Sequence, residues 1–251
     1  MSNSQSAIFD IRTKMMHALS GLIGQDCVLC GVDCHDGLLC AECAAELPRL
    51  PALQLCPQCA APSPAGAVCG RCLSHPPHYE RTIAAWHYAY PADRLLQSFK
   101  YGARLALADL CADHIADAGA LHADAFRPNP VRIDLLVALP LHPRRLRERG
   151  FNQAVEIARP LARRLGLRLD SLSLTRVRDT AAQADLPHTA RIKNVRGAFA
   201  CGRNLSGLRI AVVDDVMTTG ATLDEAAMAL KRAGAAHVEN WVAARTVDLR
   251  R

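Results

Sequence analysis

Asp214 and Asp215 are adjacent carboxylates placed between an apolar run and a small hydroxyl-rich turn, Thr218-Thr219-Gly220-Ala221-Thr222. The apolar run, Ile210, Ala211, Val212 and Val213, reads as a short buried strand with the two acids at its C-terminal end. Beyond the turn, Leu223, Ala226, Ala227 and Leu230 recur at helical spacing, and Gly234 is a stop. A strand, a turn and a helix N-terminus in that order make an anion site. The first amides of a helix have no intrahelical partner, and the helix dipole favours negative charge there. Gly220 lets the backbone approach closely and the threonines add donors. Two carboxylates repel a bare phosphate. Their presence implies a ligand with hydroxyls or a metal next to its phosphate, as in a ribose 5-phosphate. The competing reading is an ordinary strand, turn and helix with a surface Asp pair. A Walker phosphate loop is excluded, because no Gly-Lys-Ser/Thr follows.

A second chemistry is written in the cysteines. Nine of eleven precede residue 73, and eight form two units of identical spacing. Cys27-x2-Cys30-x9-Cys40-x2-Cys43 recurs 29 residues later as Cys56-x2-Cys59-x9-Cys69-x2-Cys72. Two Cys-x2-Cys knuckles offer four thiolates, the closed tetrahedral set of structural zinc, so two zinc ions are expected. The segment has too few large apolar residues to build its own core, so metal supplies folding free energy. Disulfides are the alternative, and a reducing cytosol disfavours them. The repeat favours one zinc per unit, with cross-braced pairing as the other arrangement. Cys34 and His35 have no counterpart in the second unit and are left out of the ligand set.

These groups need elements to hold them. Residues 133–139 form another buried strand, running into the basic stretch Pro140, Leu141, Arg144, Arg145, Arg147, Arg149, Asn152 and Gln153. A helix follows, with Ala154, Ala158, Leu161 and Leu165 on one face and Gly166 as its stop. Both strand-to-helix loops then lie at the carboxyl edge of a parallel sheet, where ligands bind. Guanidinium forks pair bidentately with phosphate oxygens, so this basic loop suits a pyrophosphate. Residues 81–90 read as a strand and 237–243 as the last one. Residues 93–118 are helical with a break at Gly102. Just before it, Lys100 and Tyr101 face a ligand or simply end a helix. Residues 171–200 lack strong periodicity. They carry Gln183, Leu186, Arg191, Lys193, Asn194 and Arg196, and read as a basic lid.

At 251 residues the chain suits one large domain or two unequal ones. Its net charge of +6 is uneven: residues 132–209 hold 16 Lys+Arg against 6 Asp+Glu. A basic middle fits a polyphosphate or a nucleic acid, and equally a solvated arginine-rich surface. No apolar run is long enough to span a membrane, and residues 1–24 lack the apolar core of a secretory signal. A cytoplasmic location is expected by default. Ile8, Ile11, Met15, Leu19 and Leu22 place an amphipathic helix within residues 1–25.

Together these stretches resemble the ComF family, also called GntX-like proteins. The residues carrying the resemblance are the eight cysteines, Lys100-Tyr101, Arg149-Gly150-Phe151-Asn152-Gln153-Ala154, the set Gln183, Leu186, Arg191 and Asn194, and Asp214-Asp215 with its Thr-Thr-Gly-Ala-Thr turn. The resemblance implies an α/β fold. A double zinc ribbon (26–75) precedes a type I phosphoribosyltransferase domain (79–251), whose mostly parallel twisted sheet is flanked by helices. It implies that Asp214 and Asp215 bind the ribose hydroxyls of phosphoribosyl pyrophosphate (PRPP) and that residues 218–222 bind its 5-phosphate. Magnesium accompanies the PRPP. The family is associated with natural competence, acting on internalised single-stranded DNA. Three functions are then open. One is phosphoribosyl transfer to an acceptor the sequence does not identify. Another is a non-catalytic nucleic-acid-binding module with PRPP or a nucleotide as regulatory ligand. The third is recruitment of a DNA-processing protein by the zinc ribbons. Few aromatic residues, 4% of the chain, argue against a base-stacking platform.

Overall fold

The computed structural model describes residues 25–34, 37–51, 54–102, 104–126, 131–178 and 195–247. The expected N-terminal helix, and Gln183, Leu186, Arg191, Lys193 and Asn194 of the expected lid, lie outside them. Two compact units divide the chain, Met1–Leu47 and Pro48–Arg251.

In the smaller unit, β1 (Gln25–Asp26) pairs antiparallel with β2 (Asp33–Cys34), and a short helix, α1 (Ala41–Ala45), follows. Cys40 caps α1, its sulfur accepting from the Cys43 amide at 3.5 Å. The larger unit begins with the second cysteine unit, where α2 (Gly70–Ser74) starts directly after Cys69.

The rest of the larger unit is the α/β body. Its elements are β3 (Arg81–His87), α3 (Ala92–Gly102), α4 (Leu107–Phe126), β4 (Leu135–Ala138), α5 (Pro143–Arg149), α6 (Gln153–Leu165), β5 (Arg168–Asp170), β6 (Leu174–Arg176), β7 (Phe199–Cys201), β8 (Arg209–Met217), α7 (Ala221–Arg232) and β9 (His237–Arg245). Five strands form one parallel sheet in the order β3-β9-β8-β4-β5. The central strands read as continuous apolar runs because helices cover them. Leu136, Val137, Ile210, Val212, Val213, Val238 and Val242 are all buried. α4 packs on β3, β9 and α6, while α6 packs on β4 and β8. The step from β4 to β5 runs one way across the sheet and the step from β8 to β9 runs the other. Right-handed crossovers therefore put α6 and α7 on opposite faces. The loops after β4 and β8 part in opposite directions, which opens a crevice at the carboxyl edge between them.

Three readings change. First, the strand carrying the acids does not end at them: β8 continues to Met217, past the last β4 pairing at Val213. Second, the basic stretch after β4 is a loop only as far as His142, then a helix. Pro143 at the first helical position has its φ already set, the His142 ring accepts from the Arg144 amide at 3.4 Å, and Gly150 ends the helix at φ 78°. Third, residues 171–200 are not all loop. β6 and β7 pair antiparallel at the base of this segment, each too short for alternation to register.

Candidate functional site

The two acids are not equivalent. Neighbouring side chains on a strand turn to opposite faces. Asp215, 7% exposed, receives the Lys100 ammonium of α3 at 2.8 Å. Asp214 is half-buried, and its carboxylate accepts from the Asp215 amide at 2.9 Å. Loss of hydration first, then the Asp215 charge, pushes Asp214 up to about 8, against the pull of Lys100. Burial alone would lower Lys100, but Asp215 and then Asp214 outweigh it and hold the ammonium above its ordinary value. The site thus sets two unlike carboxylates beside one internal cation, Asp215 paired with it and Asp214 pushed up by burial and by its neighbour.

Residues 218–222 turn directly into α7. Gly220 has φ 83°, in the left-handed region. A Cβ there would meet Met217 Cε at 2.6 Å and Tyr79 Oη at 3.0 Å, so glycine is required on two counts. Thr219 Oγ1 accepts from the Ala221 amide at 3.3 Å, and the Asp224 amide bonds back to Gly220 O at 2.9 Å. The outer side of this turn is held by two arginines that the sequence reading missed. Arg71 of α2 donates to Thr219 O at 2.7 Å. Arg245, 4% exposed, donates to Met217 O at 3.3 Å, to Thr218 O and to Thr246 O, and its Nε reaches Cys59 O at 2.9 Å. Its only sequence signal is a cation ending an apolar strand, opposite Met217 in the β8–β9 register.

The Lys100-Tyr101 and Arg149–Gln153 stretches, about fifty residues apart in the chain, meet in space. The Phe99 and Phe151 rings lie 5.8 Å apart, and the Arg149 guanidinium sits 5.9 Å over the Tyr101 ring. Arg149 also donates to Gln153 Oε1 at 3.1 Å. Asn152 caps α6, accepting from the Ala154 amide at 3.0 Å, and donates to Leu139 O at 3.0 Å. Asn152 therefore ties the start of α6 to the loop after β4 that carries Pro140 and Leu141. Arg144 projects outward on α5 and pairs with Glu148 at 3.0 Å. A cavity of about 440 Å³ opens beside this loop, walled by Leu141, Phe151 and Leu172 among others.

Two arginines of the basic middle meet acids of α4, and others meet acids within the stretch itself. Arg164 of α6 pairs with Asp113 and Asp117 of α4, and Arg163 lies 3.9 Å from Asp109. Arg203 pairs with Asp170 at 2.9 Å and Arg209 with Asp134 at 2.8 Å. Burial raises Asp170, but Ser173, Leu172 and Arg203 donate to it and bring it down to about 2. Among these pairs, only the α4 acids Asp109, Asp113 and Asp117 offset the excess of +10 over residues 132–209, since Asp134 and Asp170 are already counted in it.

The cysteines gather as two sequential sets: Cys27, Cys30, Cys40 and Cys43, then Cys56, Cys59, Cys69 and Cys72, the four sulfurs of each within 4.8 Å of one another. Cys30 and Cys40 sulfurs are 3.7 Å apart, and Cys59 and Cys69 sulfurs 3.6 Å. Zinc–sulfur bonds of about 2.3 Å at tetrahedral angles give sulfur–sulfur separations of about 3.8 Å, so both sets fit zinc.

Models of two families match the chain. The phosphoribosyl transferase domain covers residues 152–247 and the double zinc ribbon domain covers residues 18–73. The sequence is 36% identical over 211 residues to the DNA utilization protein YhgH of Salmonella typhimurium, covering 83% of this chain and 91% of that one. Its counterpart in Escherichia coli (strain K12) is 37% identical over 195 residues, covering 77% and 85%. Competence protein F of Haemophilus influenzae is 28% identical over 226 residues, covering 87% and 96%. The fold is that of a type I phosphoribosyltransferase domain carrying zinc ribbons. The chain belongs to the ComF family.

Proposed function

We propose that this protein binds PRPP at the carboxyl edge of β4 and β8, and that it serves the handling of DNA after uptake. The observation that carries the reading is the pairing of a Gly220-capped anion loop with two carboxylates on the strand feeding it. Asp214 and Asp215 accept the ribose hydroxyls. Thr218, Thr219, Gly220, Ala221 and Thr222 hold the 5-phosphate. The loop after β4, with Pro140 and Leu141, and Arg144 and Arg149 beside it, takes the pyrophosphate together with the magnesium that PRPP carries. Lys100 stays on Asp215 and keeps the acid pair from repelling the ligand's own charge. The names of two relatives, DNA utilization protein and competence protein, support a role in DNA handling.

Transfer of the ribose phosphate to an acceptor is the reaction this arrangement supports. Its requirements are a held sugar, a neutralised pyrophosphate and an acceptor on the same side. The cavity walled by Leu141, Phe151 and Leu172, with Asn152 and Glu156, offers that acceptor a mixed polar and apolar surface beside the pyrophosphate loop. Single-stranded DNA and a DNA-processing protein docking on the ribbons at 26–75 are the macromolecular partners proposed, in the cytoplasm. Among the described residues no helix is long and apolar enough to cross a membrane. Phosphate contacts by the net-positive residues 132–209 are expected to dominate DNA binding, with a steep salt dependence.

Calorimetric titration of PRPP tests the site. Each charge-assisted bond lost contributes about 1.5–3 kcal/mol, so Asp214→Asn is expected to weaken PRPP binding by roughly ten- to a hundredfold. Equal affinity in the variant and the parent would remove the carboxylates from the site. Pyrophosphate release from PRPP, with candidate bases and single-stranded DNA as acceptors, separates transfer from binding alone.

A further inference from the structure

We propose that the second cysteine tetrad, acting through Arg71 and Arg245, holds residues 218–222 in their anion-binding conformation. Metal at Cys56, Cys59, Cys69 and Cys72 and a phosphate ligand at the loop then stabilise each other. The proposal rests on the reading of that loop as a phosphate site.

Arg71 stands immediately before the ligand Cys72, and its guanidinium donates to Thr219 O at 2.7 Å. Arg245 bridges the two regions from inside. Its Nε donates to the carbonyl of the ligand Cys59 at 2.9 Å, and its Nη1 to the Met217 and Thr218 carbonyls. Three successive loop carbonyls are therefore turned toward two guanidinium groups. In a trans peptide the C=O and the following N–H point in opposite directions. The amides of Thr218, Thr219 and Gly220 are thus turned away from the arginines, as a nest of donors for an anion must be. Cys59, Arg71, Cys72, Tyr79, Gly220 and Ala221 also line one cavity of about 400 Å³, so ribbon and loop share a wall.

Energetics run the same way. A buried guanidinium is stable only when oxygen atoms surround it. Arg245 finds one on the ribbon and the others on or beside the phosphate loop. Four thiolates on a divalent zinc carry a net charge of about −2, which suits the two cations placed beside them. The repeat supplies an internal contrast, for the position of Arg71 is held in the first cysteine unit by Glu42. A carboxylate cannot donate to a carbonyl, so only the second unit is equipped for this task.

Amide hydrogen exchange at Ala221 and Asp224, whose amides bond to Thr219 Oγ1 and Gly220 O, is the direct readout, because it needs no PRPP. Arg71→Ala removes an exposed residue's side chain and should leave the fold intact. Exchange at Ala221 and Asp224 is expected to rise severalfold while β4 stays protected. Arg71→Lys should recover part of the protection, and Arg71→Glu should lose more than Arg71→Ala. Unchanged exchange in Arg71→Ala, or an equal rise in β4, overturns the proposal. In parallel, PRPP should bind Arg71→Ala about tenfold more weakly than the parent, the loss of one charge-assisted bond. PRPP should also raise the affinity for one of two zinc ions in an equilibrium competition with a chelator, as linkage requires. A parent protein that shows no PRPP binding defeats the PRPP reading, while the exchange measurement still decides the coupling.

Discussion

Cys27, Cys30, Cys40 and Cys43 stand at the same spacing as Cys56, Cys59, Cys69 and Cys72, yet the two sets live differently. In the first, Cys27 is buried, Cys30 is exposed, and Cys40 and Cys43 are partly exposed. In the second, Cys56, Cys59 and Cys72 are buried, and the set belongs to the same compact unit as the sheet. The helix after the third ligand carries Glu42 in one and Arg71 in the other. Ligand spacing specifies a metal knuckle. The residues between the ligands decide what the knuckle is used for. Here Arg71 of the second set reaches the Thr219 carbonyl, while the first set carries Glu42 at the same position.

The largest expected effect comes from removing one ligand from each set. Cys59→Ser and Cys30→Ser should both lower bound zinc from two ions per chain to one, read by metal analysis. Structural zinc is worth about 10–16 kcal/mol to its own segment, as much as a whole domain's stability of about 5–15 kcal/mol. Cys59→Ser should therefore lower the melting temperature of the α/β body and abolish PRPP binding, whereas Cys30→Ser should retain it. Equal losses in the two variants would erase the distinction between the ribbons.

Gly220→Ala probes the loop itself with the ribbon intact. The new Cβ meets Met217 Cε at 2.6 Å in a left-handed backbone conformation. A cost of about 1–3 kcal/mol is expected in denaturant unfolding, with weaker PRPP binding. An unchanged midpoint would show that the turn relaxes freely and is not clamped from behind.

The smallest effect is in pH. Asp214 is raised to about 8, so the fold favours its neutral form. Its contribution to stability is complete below the unfolded carboxyl value near 4 and is lost as pH rises through about 8. Asp214→Asn should flatten that decline in a thermal melt series. Hydroxyl donors on a ligand favour the ionised carboxylate, so PRPP affinity should increase between about pH 7 and 9 in the parent, a trend the Asn variant lacks. The same profile in Cys30→Ser would confirm that titration at β8 is independent of the first ribbon.

Much of the site was legible because it is local. The Asp pair, the Thr-Thr-Gly turn and the helix after it are contiguous, and each step from strand to turn to helix leaves a pattern in neighbouring residues. The break at Gly102, the stop at Gly166 and the cysteine sets were readable for the same reason. The extent of β8 beyond Asp215 was not, since carboxylates look like a strand end. Nor was α5, because none of its residues is buried, exposed Leu146 included, so it has no apolar stripe to show. β6 and β7 are three residues each, too short for any period to show.

From the sequence alone, then, come the metal ligands, the strand, turn and helix around residues 218–222 and the parallel α/β order, all set by spacing along the chain. Tertiary structure alone decides that Lys100 reaches Asp215, that Phe99 meets Phe151 with Arg149 over Tyr101, and that Arg71 and Arg245 brace residues 217–219. These partners lie from about fifty to about 150 positions apart or on different strands. Spacing encodes only what a local backbone can bring together; the rest follows from how the crossovers stack the helices and the second ribbon against one edge of the sheet.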